Sequence, residues 1–137
     1  MTSTIRIAAA LLIGSDGQTL LVRKRGTQAF MQPGGKIDAG EQPLQALARE
    51  LHEELGLCID PAVSVYLGQF SAPAAHEPGF VVEAPLFRVN IHVPVTPAAE
   101  IEEVRWIDPA GDGDLLLAPL TRDLILPFYR SSLTSII

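Results

Sequence analysis

The chain has 137 residues, a formal net charge of −6, 47% hydrophobic residues and one cysteine. This length predicts a single domain spanning residues 1–137 with one core of ordinary size. The apolar content excludes an intrinsically disordered chain, and the acidic balance argues against binding a nucleic acid polymer. A small anionic substrate is compatible with this charge, provided that a cation mediates.

The sequence predicts no membrane segment, because no stretch approaches the roughly 18 apolar residues of a membrane helix. Cys58 alone cannot form an internal disulfide, which fits a reducing compartment, so we expect a cytoplasmic protein. The apolar run 7–13 has an alternative interpretation as a short signal peptide. We favour a strand, since Asp16-Gly17 ends the run and a second apolar run follows at 20–22.

The predicted elements indicate a mixed sheet covered by helices, in an α/β or α+β arrangement. Asp16-Gly17 predicts a hairpin between the first two strands, because Gly accepts the positive φ of a tight turn. Pro127 is expected to kink or shorten the last helix. In chain order the predicted elements are strands 4–13 and 19–25, a loop 30–40, a helix 43–55, strands 63–71, 80–92 and 103–107, and a helix 119–130.

The segment 43–55 has the clearest helical pattern. Pro43 suits the first helical position, where its missing N–H is not needed, and Gly56 suits the left-handed position just past the end. One apolar stripe repeats at three- and four-residue steps, which predicts a face packed on the sheet. The stripe consists of Leu44, Leu47, Ala48, Leu51 and Leu55.

The other face of this helix carries Glu50, Glu53 and Glu54. Their spacing brings like charges together near the helix end, where the dipole disfavours anions. Each effect opposes folding by a few tenths to about 1 kcal/mol, so the cluster predicts a cation site. Oxygen ligands select a hard cation, Mg²⁺ or Mn²⁺. The alternative is an acidic face that contacts only solvent.

A glycine-rich loop precedes the helix, with Pro33-Gly34-Gly35-Lys36 followed by Gly40. Glycines let the backbone bend sharply and approach a ligand closely. We expect a carbonyl near Gly35 to reach the same ion as the glutamates, and Lys36 to face phosphate. Two glycines alone indicate only a turn. Their combination with the acidic helix is what specifically indicates a cation site.

Together, this loop and helix resemble the signature of the Nudix family. Gly35, Glu41 and the segment 49–57 reproduce the Nudix box over residues 35–57 without a departure. Gln42 stands where a Ser or Thr helix cap is common, which predicts some loss of helix stability. The flanking features also agree with the family pattern: Phe30, the Pro-Gly-Gly run, the preceding hairpin, and Glu100 followed by Trp106.

The resemblance implies the Nudix fold, a mixed β-sheet sandwiched between α-helices. It also implies hydrolysis of a nucleoside diphosphate linked to another group, with Mg²⁺ or Mn²⁺ as the cofactor. Many members of the family pair, which leaves a homodimer open for this chain.

The family's metal ligands carry over to matching positions. Glu53 and Glu54 resemble side-chain ligands, and Gly35 resembles the position whose backbone carbonyl binds metal. Glu100 is similar, by its spacing to the later Trp, to an accessory ligand outside the box, and Glu103 is its rival.

The resemblance also implies catalytic roles, for which we expect Glu50, Glu53 and Arg49. Glu50 resembles either a metal ligand or the base that deprotonates water, since members of the family differ on this point. Arg49 resembles the residue that orients the glutamates through charge-assisted hydrogen bonds. Glu41 is similar to a supporting residue that braces the loop against the helix.

The substrate is less well specified. Arg23 and Arg25 share a strand face, so these two residues and Lys36 are the expected phosphate-binding residues; the alternative for the strand residues is a solvated strand end. The short chain resembles mutator-protein Nudix enzymes, which implies a nucleoside triphosphate, unmodified or oxidised, converted to monophosphate and diphosphate. The alternatives are an ADP-ribose or ADP-sugar hydrolase, to which Pro73 points weakly, and a nucleotide-binding module that lost catalysis.

Overall fold

The computed structural model describes residues 3–111 and 114–134. The strands are β1 (Ser3–Ile13), β2 (Thr19–Lys24), β3 (Gly34–Lys36), β4 (Val65–Pro73), β5 (Phe80–Asn90) and β6 (Ile101–Ile107). The α-helices are α1 (Pro43–Leu55) and α2 (Leu126–Thr134), with a 3-10 turn at Pro61–Val63 and a π-helical turn at Leu120–Ile125. No helix of this described part is both long and apolar enough to cross a membrane.

The strands form one mixed sheet, as the sequence predicts, and their order in the structure is β4-β5-β1-β2-β6. The central pair β1 and β5 is parallel, and the other pairs are antiparallel. The predicted hairpin is confirmed: Ile13 pairs with Thr19, and Gly17 in the turn has a φ of 84°. Strands β2 and β3 share the second side of β1, so the loop after β3 starts beside the middle of the sheet.

Helices cover the two faces of the sheet because the residues of β1 alternate between two cores. The core on one face joins Ala8, Ala10 and Leu12 to the leucine stripe of α1. The core on the other face joins Ala9 and Leu11 to the helical segment that includes α2. This arrangement confirms the predicted sandwich.

Two local predictions need correction. The predicted loop 30–40 contains β3, because Gly35 pairs with Ala8 of the central strand. The predicted kink at Pro127 falls at the start of α2, where a missing N–H costs little. The distortion of the last helical segment is a π-helical turn immediately before α2, and the helix continues to Thr134.

Candidate active site

Both ends of α1 are fixed by local hydrogen bonds. At the start, the amide of Gln42 donates to Oε1 of Gln45 at 2.8 Å, which offsets the absence of a Ser or Thr cap. At the end, Gly56 has a φ of 67°, and its amide donates to the carbonyl of His52 at 3.1 Å. The helix therefore ends at the predicted residue and holds the three glutamates on its final turns.

Arg49 ties the loop to the acidic face of α1. Its guanidinium donates two hydrogen bonds of 2.9 Å to the carboxylate of Glu41 and one of 2.8 Å to Oε1 of Glu50. Nη2 also donates to the carbonyl of Lys36 at 3.1 Å, and Nη1 lies 3.7 Å from Oε2 of Glu53. These bonds match the orienting role that the box predicts for Arg49 and the bracing role that it predicts for Glu41.

The pKa values of this pair shift in the directions expected for a charged hydrogen bond. The bond from Arg49 and the amide of Asp38 lower the pKa of Glu41 from 4.5 to about 2. The bonds to Glu41 and Glu50 raise the pKa of Arg49 above its ordinary value. Both groups therefore stay charged across the neutral range.

Two glycines bring the loop backbone against Glu50 and β1. A Cβ atom on residue 35 would lie 2.4 Å from Cδ of Glu50, a distance that real contacts do not reach. A Cβ atom on residue 34 would lie 2.0 Å from the carbonyl oxygen of Ala8, and Gly34 has a φ of +140°. Glycine is required at position 34, where a Cβ atom would meet backbone atoms, whereas at position 35 a Cβ atom would force the end of the Glu50 side chain to move; glycine there lets backbone and carboxylate meet.

Glu54 is a buried carboxylate at the end of α1. The residue is 2% exposed, and within the part of the chain that the structure describes neither carboxylate oxygen has a hydrogen-bond partner of normal geometry. Burial raises its pKa from 4.5 to about 7; Lys24 opposes this shift, and the charges of Glu50 and Glu100 add to it. The amide of Gly34 faces the carboxylate and slightly lowers this pKa. An unpaired buried carboxylate is unfavourable unless something else neutralises it.

The carboxylates of Glu50 and Glu100, whose charges act on Glu54, are oxygen donors of the kind that a hard divalent cation prefers. Within residues 3–111 and 114–134, however, no three His, Cys, Asp or Glu side chains are arranged to hold a metal ion. The three glutamates of the box interact with different cations. Arg49 contacts Glu50 and Glu53, whereas the charge of Lys24 acts on Glu54.

The two rivals for the accessory position have different surroundings. Glu100 pairs with Lys24, with Nζ 3.1 Å from Oε1, and its charge acts on buried Glu54. Glu103 pairs with Arg23 at 3.4 Å and with Arg105 at 2.7 Å, and both arginines lower its pKa. The structure thus places Glu100, rather than Glu103, in the electrostatic surroundings of the box.

The predicted phosphate-binding cations have other contacts as well. Arg23 donates to the carbonyl of Thr27 at 2.9 Å and lies over the ring of Phe30. Arg25 is exposed and lies 3.5 Å from Glu102. Lys36 is exposed beside the loop. Lys24 lies between Arg23 and Arg25 in the sequence, on the other face of β2, and its charge lowers the pKa of Glu54.

The sequence did not predict one buried polar pair, Thr121 and Gln32. The hydroxyl of Thr121 donates to Oε1 of Gln32 at 2.6 Å, while Nε2 of Gln32 is buried without an acceptor. Gln32 directly precedes the Pro-Gly-Gly run, and Thr121 lies in the π-helical turn. Only the position of Gln32 beside that run could have drawn attention to it.

A cavity of about 380 Å³ begins one residue after Arg25. Residues 26–29, 74–76 and 116–119 line it. Its floor includes buried apolar side chains, among them Ala29 and Leu117. The bond from Arg23 to Thr27 fixes this cavity to the end of β2.

Curated proteins of similar sequence match this chain over part of their own length. An 8-oxo-dGTP diphosphatase from Haemophilus influenzae is 47% identical over 57 residues, 39% of this chain and 42% of that protein. An octanoyltransferase from Myxococcus xanthus is 36% identical over 111 residues, 77% of this chain and 30% of that protein. An RNA pyrophosphohydrolase from Halorhodospira halophila is 43% identical over 58 residues, 42% of this chain and 31% of that protein. The chain thus spans less than half the length of each relative.

The fold agrees with solved structures. The MutT protein from Methanosarcina mazei superimposes with a TM-score of 0.78 at 21% identity, covering 96% of both chains. At this identity the likeness shows the fold. The sequence profile of the NUDIX domain matches residues 3–121, a range that includes the whole box and the cavity. The chain therefore belongs to the NUDIX domain family.

Proposed function

We propose that this chain is a divalent-cation-dependent hydrolase of nucleoside triphosphates, unmodified or oxidised, which releases nucleoside monophosphate and inorganic diphosphate. The observation that carries the proposal is the buried carboxylate of Glu54, whose two oxygens have no hydrogen-bond partner of normal geometry among residues 3–111 and 114–134. Such a group is unfavourable for folding and becomes useful when a cation pairs with it. Family membership and the relative named 8-oxo-dGTP diphosphatase support the substrate class.

The residues that would hold Mg²⁺ or Mn²⁺ are Glu50, Glu53, Glu54, the backbone carbonyl of Gly35, and Glu100. When bound, the cation polarises phosphoryl oxygens and neutralises charge that develops on the leaving group. The contact between Gly35 and Glu50 supports a role for that carbonyl. The effect of Glu100 on the pKa of Glu54 supports its choice over Glu103.

Catalysis by the chain's own residues centres on Glu50. We assign it the role of base: its carboxylate takes a proton from the water that attacks phosphorus. The water oxygen then forms the new P–O bond, while the P–O bond to the leaving diphosphate breaks. Arg49 positions this carboxylate, because it holds Oε1 of Glu50 at 2.8 Å and is itself fixed by two bonds to Glu41.

The cationic side chains and the cavity of about 380 Å³ suit the phosphates and the nucleoside of this substrate. Lys24 pairs with Glu100 and its charge reaches Glu54; we assign Lys24, together with Arg25 and Lys36, to offset phosphate charge that the cation leaves uncompensated. The cavity of about 380 Å³ next to Arg25 receives the nucleoside, since its buried apolar residues suit the faces of a base. A single domain over residues 1–137, a cytoplasmic location and a homodimer stay predictions.

The experiment that tests this function is a hydrolysis screen with Mg²⁺ and then Mn²⁺. The substrates are unmodified and oxidised nucleoside triphosphates, ADP-ribose, and an RNA oligomer with a 5′-triphosphate. We expect turnover of a triphosphate, with label from ¹⁸O water on one phosphate product. Turnover confined to ADP-ribose supports the ADP-sugar alternative, and turnover confined to RNA contradicts the prediction that no nucleic acid polymer is a substrate. Tight nucleotide binding without turnover supports a binding module.

Glu54→Gln and Glu102→Gln make a matched pair of variants for the screen. Glu102 is a surface carboxylate whose contact with Arg25 is 3.5 Å long. We expect Glu54→Gln to abolish turnover and Glu102→Gln to retain it. Equal rates in the two variants contradict the assignment of Glu54.

A further inference from the structure

A second cavity lies on the opposite face of the sheet from the acidic helix. Its volume is about 400 Å³, which lies within the range of small-molecule sites. Leu11 and Leu67 form an apolar wall of the cavity on the side of the sheet, and Phe128 lines the cavity on the side of α2. Leu11 belongs to the core that packs against α2, whereas α1 packs on the other face. The sheet therefore separates this cavity from the proposed hydrolytic site.

Arg88 is the cation in the lining of this cavity. It is partly buried on β5, where its register neighbours are Leu11 on β1 and Val65 on β4. Across residues 3–111 and 114–134, its side chain has neither a hydrogen bond nor an ion pair. The polar residues of the lining are Asn90, Tyr129 and Ser132, which carry no negative charge. A partly buried guanidinium without a charged partner is incompletely neutralised and favours an anion.

The nearby polar groups do not neutralise Arg88. Burial raises the pKa of the Tyr129 hydroxyl, and the charge of Arg88 lowers it by a smaller amount. This hydroxyl already donates a hydrogen bond to the carbonyl of Gly17 at 2.7 Å. Asp16 and Asp108 also act on Tyr129, and neither lines the cavity. Each accepts a hydrogen bond within its own turn, at 3.0 Å and 2.9 Å respectively.

We propose that this cavity binds a small organic carboxylate, whose carboxylate group pairs with Arg88 and whose apolar chain or ring packs against Leu11, Leu67 and Phe128. A carboxylate fits because one guanidinium offers two parallel donors and one positive charge. A polyphosphate does not fit, because its further charges would face apolar walls on a protein of net charge −6. The proposal is independent of the hydrolytic function.

The test is a titration of the full chain with octanoate, followed by NMR of the leucine methyl groups. Octan-1-ol is the neutral probe of the same length, and inorganic phosphate is the anion without an apolar part. Arg88→Gln removes the guanidinium. Arg6→Gln is the matched control, because Arg6 is an exposed arginine of the neighbouring strand and lies on the sheet face that packs against α1.

We expect octanoate to shift the Leu11 and Leu67 methyl signals saturably in the wild type, with affinity about tenfold or more above that of octan-1-ol. Arg88→Gln should lose about tenfold or more in affinity, whereas Arg6→Gln should bind as the wild type does. Absence of saturable shifts, equal affinity for the alcohol, or competition by phosphate at the same concentration overturns the proposal. The comparison of probes on the wild type decides the matter even if Arg88→Gln does not fold.

Discussion

Gly35 lies so close to Glu50 that a Cβ atom on residue 35 would be 2.4 Å from the carboxylate carbon of Glu50. This relationship joins the glycine-rich loop of the sequence motif to its acidic helix. The backbone of β3 and the acidic face of α1 meet because position 35 has no side chain. Arg49 holds the same carboxylate from the other side, at 2.8 Å.

Gly35→Ala should therefore damage the site directly. The added methyl group displaces Glu50 or the loop, and we expect activity to fall about 100-fold, as displacement of a catalytic group by about 1 Å can do. Stability should fall by about 1–3 kcal/mol, as in other overpacked sites. Steady-state rates and urea unfolding measure the two effects.

The matched control for this substitution is Gly111→Ala. Among the residues that the structure describes, a Cβ atom on residue 111 meets nothing within 4 Å, and the backbone there lies outside the left-handed region. We expect this variant to match the wild type in rate and stability. Wild-type activity in Gly35→Ala would show that the close approach to Glu50 has no role in catalysis.

Glu54 should make the stability of the protein in EDTA depend on pH. Its pKa is raised from 4.5 to about 7 in the folded state, so the folded state binds a proton more tightly than the unfolded chain. The loss of folding stability that its negative charge causes is absent below a pH of about 4.5 and complete above a pH of about 7. Relative to Glu54→Gln, the wild type should lose roughly 2–3 kcal/mol of stability between about pH 5 and about pH 8.

Urea unfolding of the wild type and Glu54→Gln at several pH values measures this difference. The difference between the two proteins is the informative quantity, because the buried Gln amide lacks partners too and shifts absolute stability by about 1–3 kcal/mol. The histidines titrate in both proteins and cancel. A difference that is constant with pH means that Glu54 is ionised normally in the folded protein.

Glu53→Gln should separate activity from stability. The Glu53 side chain is 53% exposed and lies 3.7 Å from Arg49, so its ion pair contributes little. We expect unfolding free energy in EDTA to change by less than about 0.5 kcal/mol, while hydrolysis falls about 100-fold or more. A marked loss of stability in EDTA identifies Glu53 as a structural partner of Arg49, and near-normal turnover removes it from the proposed ligands.

Arg49→Lys should disturb positioning, because one ammonium group cannot reproduce the paired bonds to Glu41 and the bond to Glu50. We expect kcat to fall about 10-fold to 100-fold, with KM much less affected, and stability to fall by about 1–2 kcal/mol. Arg122→Lys is the control, since Arg122 makes a similar pair of bonds to exposed Asp123. Equal effects on kcat in the two variants contradict a positioning role for Arg49.

Local chemistry made much of the fold predictable. Pro43 and Gly56 predict the observed ends of α1, because each suits one special position at a helix terminus. Strands on both sides of one central helix, together with the leucine stripe of that helix, predict a sheet covered by helices, and the two observed cores agree with it. The approach of Gly35 to Glu50 fits the expectation of a glycine loop that meets the acidic cluster.

Features that depend on long-range pairing were not predictable. The strand β3 forms only because Gly34 fits under the carbonyl of Ala8, a contact between segments far apart in the sequence. The position of Lys24 near Glu54 depends on how β2 lies relative to α1, so strand alternation alone could not show it. The buried pair of Gln32 and Thr121 joins residues that only the complete fold brings together.

The most direct test of the account is Mn²⁺ binding measured by the loss of the free-ion electron paramagnetic resonance signal. The account predicts saturable binding by the wild type and by Glu103→Gln, whose carboxylate is occupied by Arg23 and Arg105. We expect a loss of affinity of about tenfold or more in Glu54→Gln, because the amide replaces a buried carboxylate that has no hydrogen-bond partner of normal geometry among the described residues. Binding to Glu54→Gln with wild-type affinity would contradict the central claim that this buried carboxylate is a cation ligand.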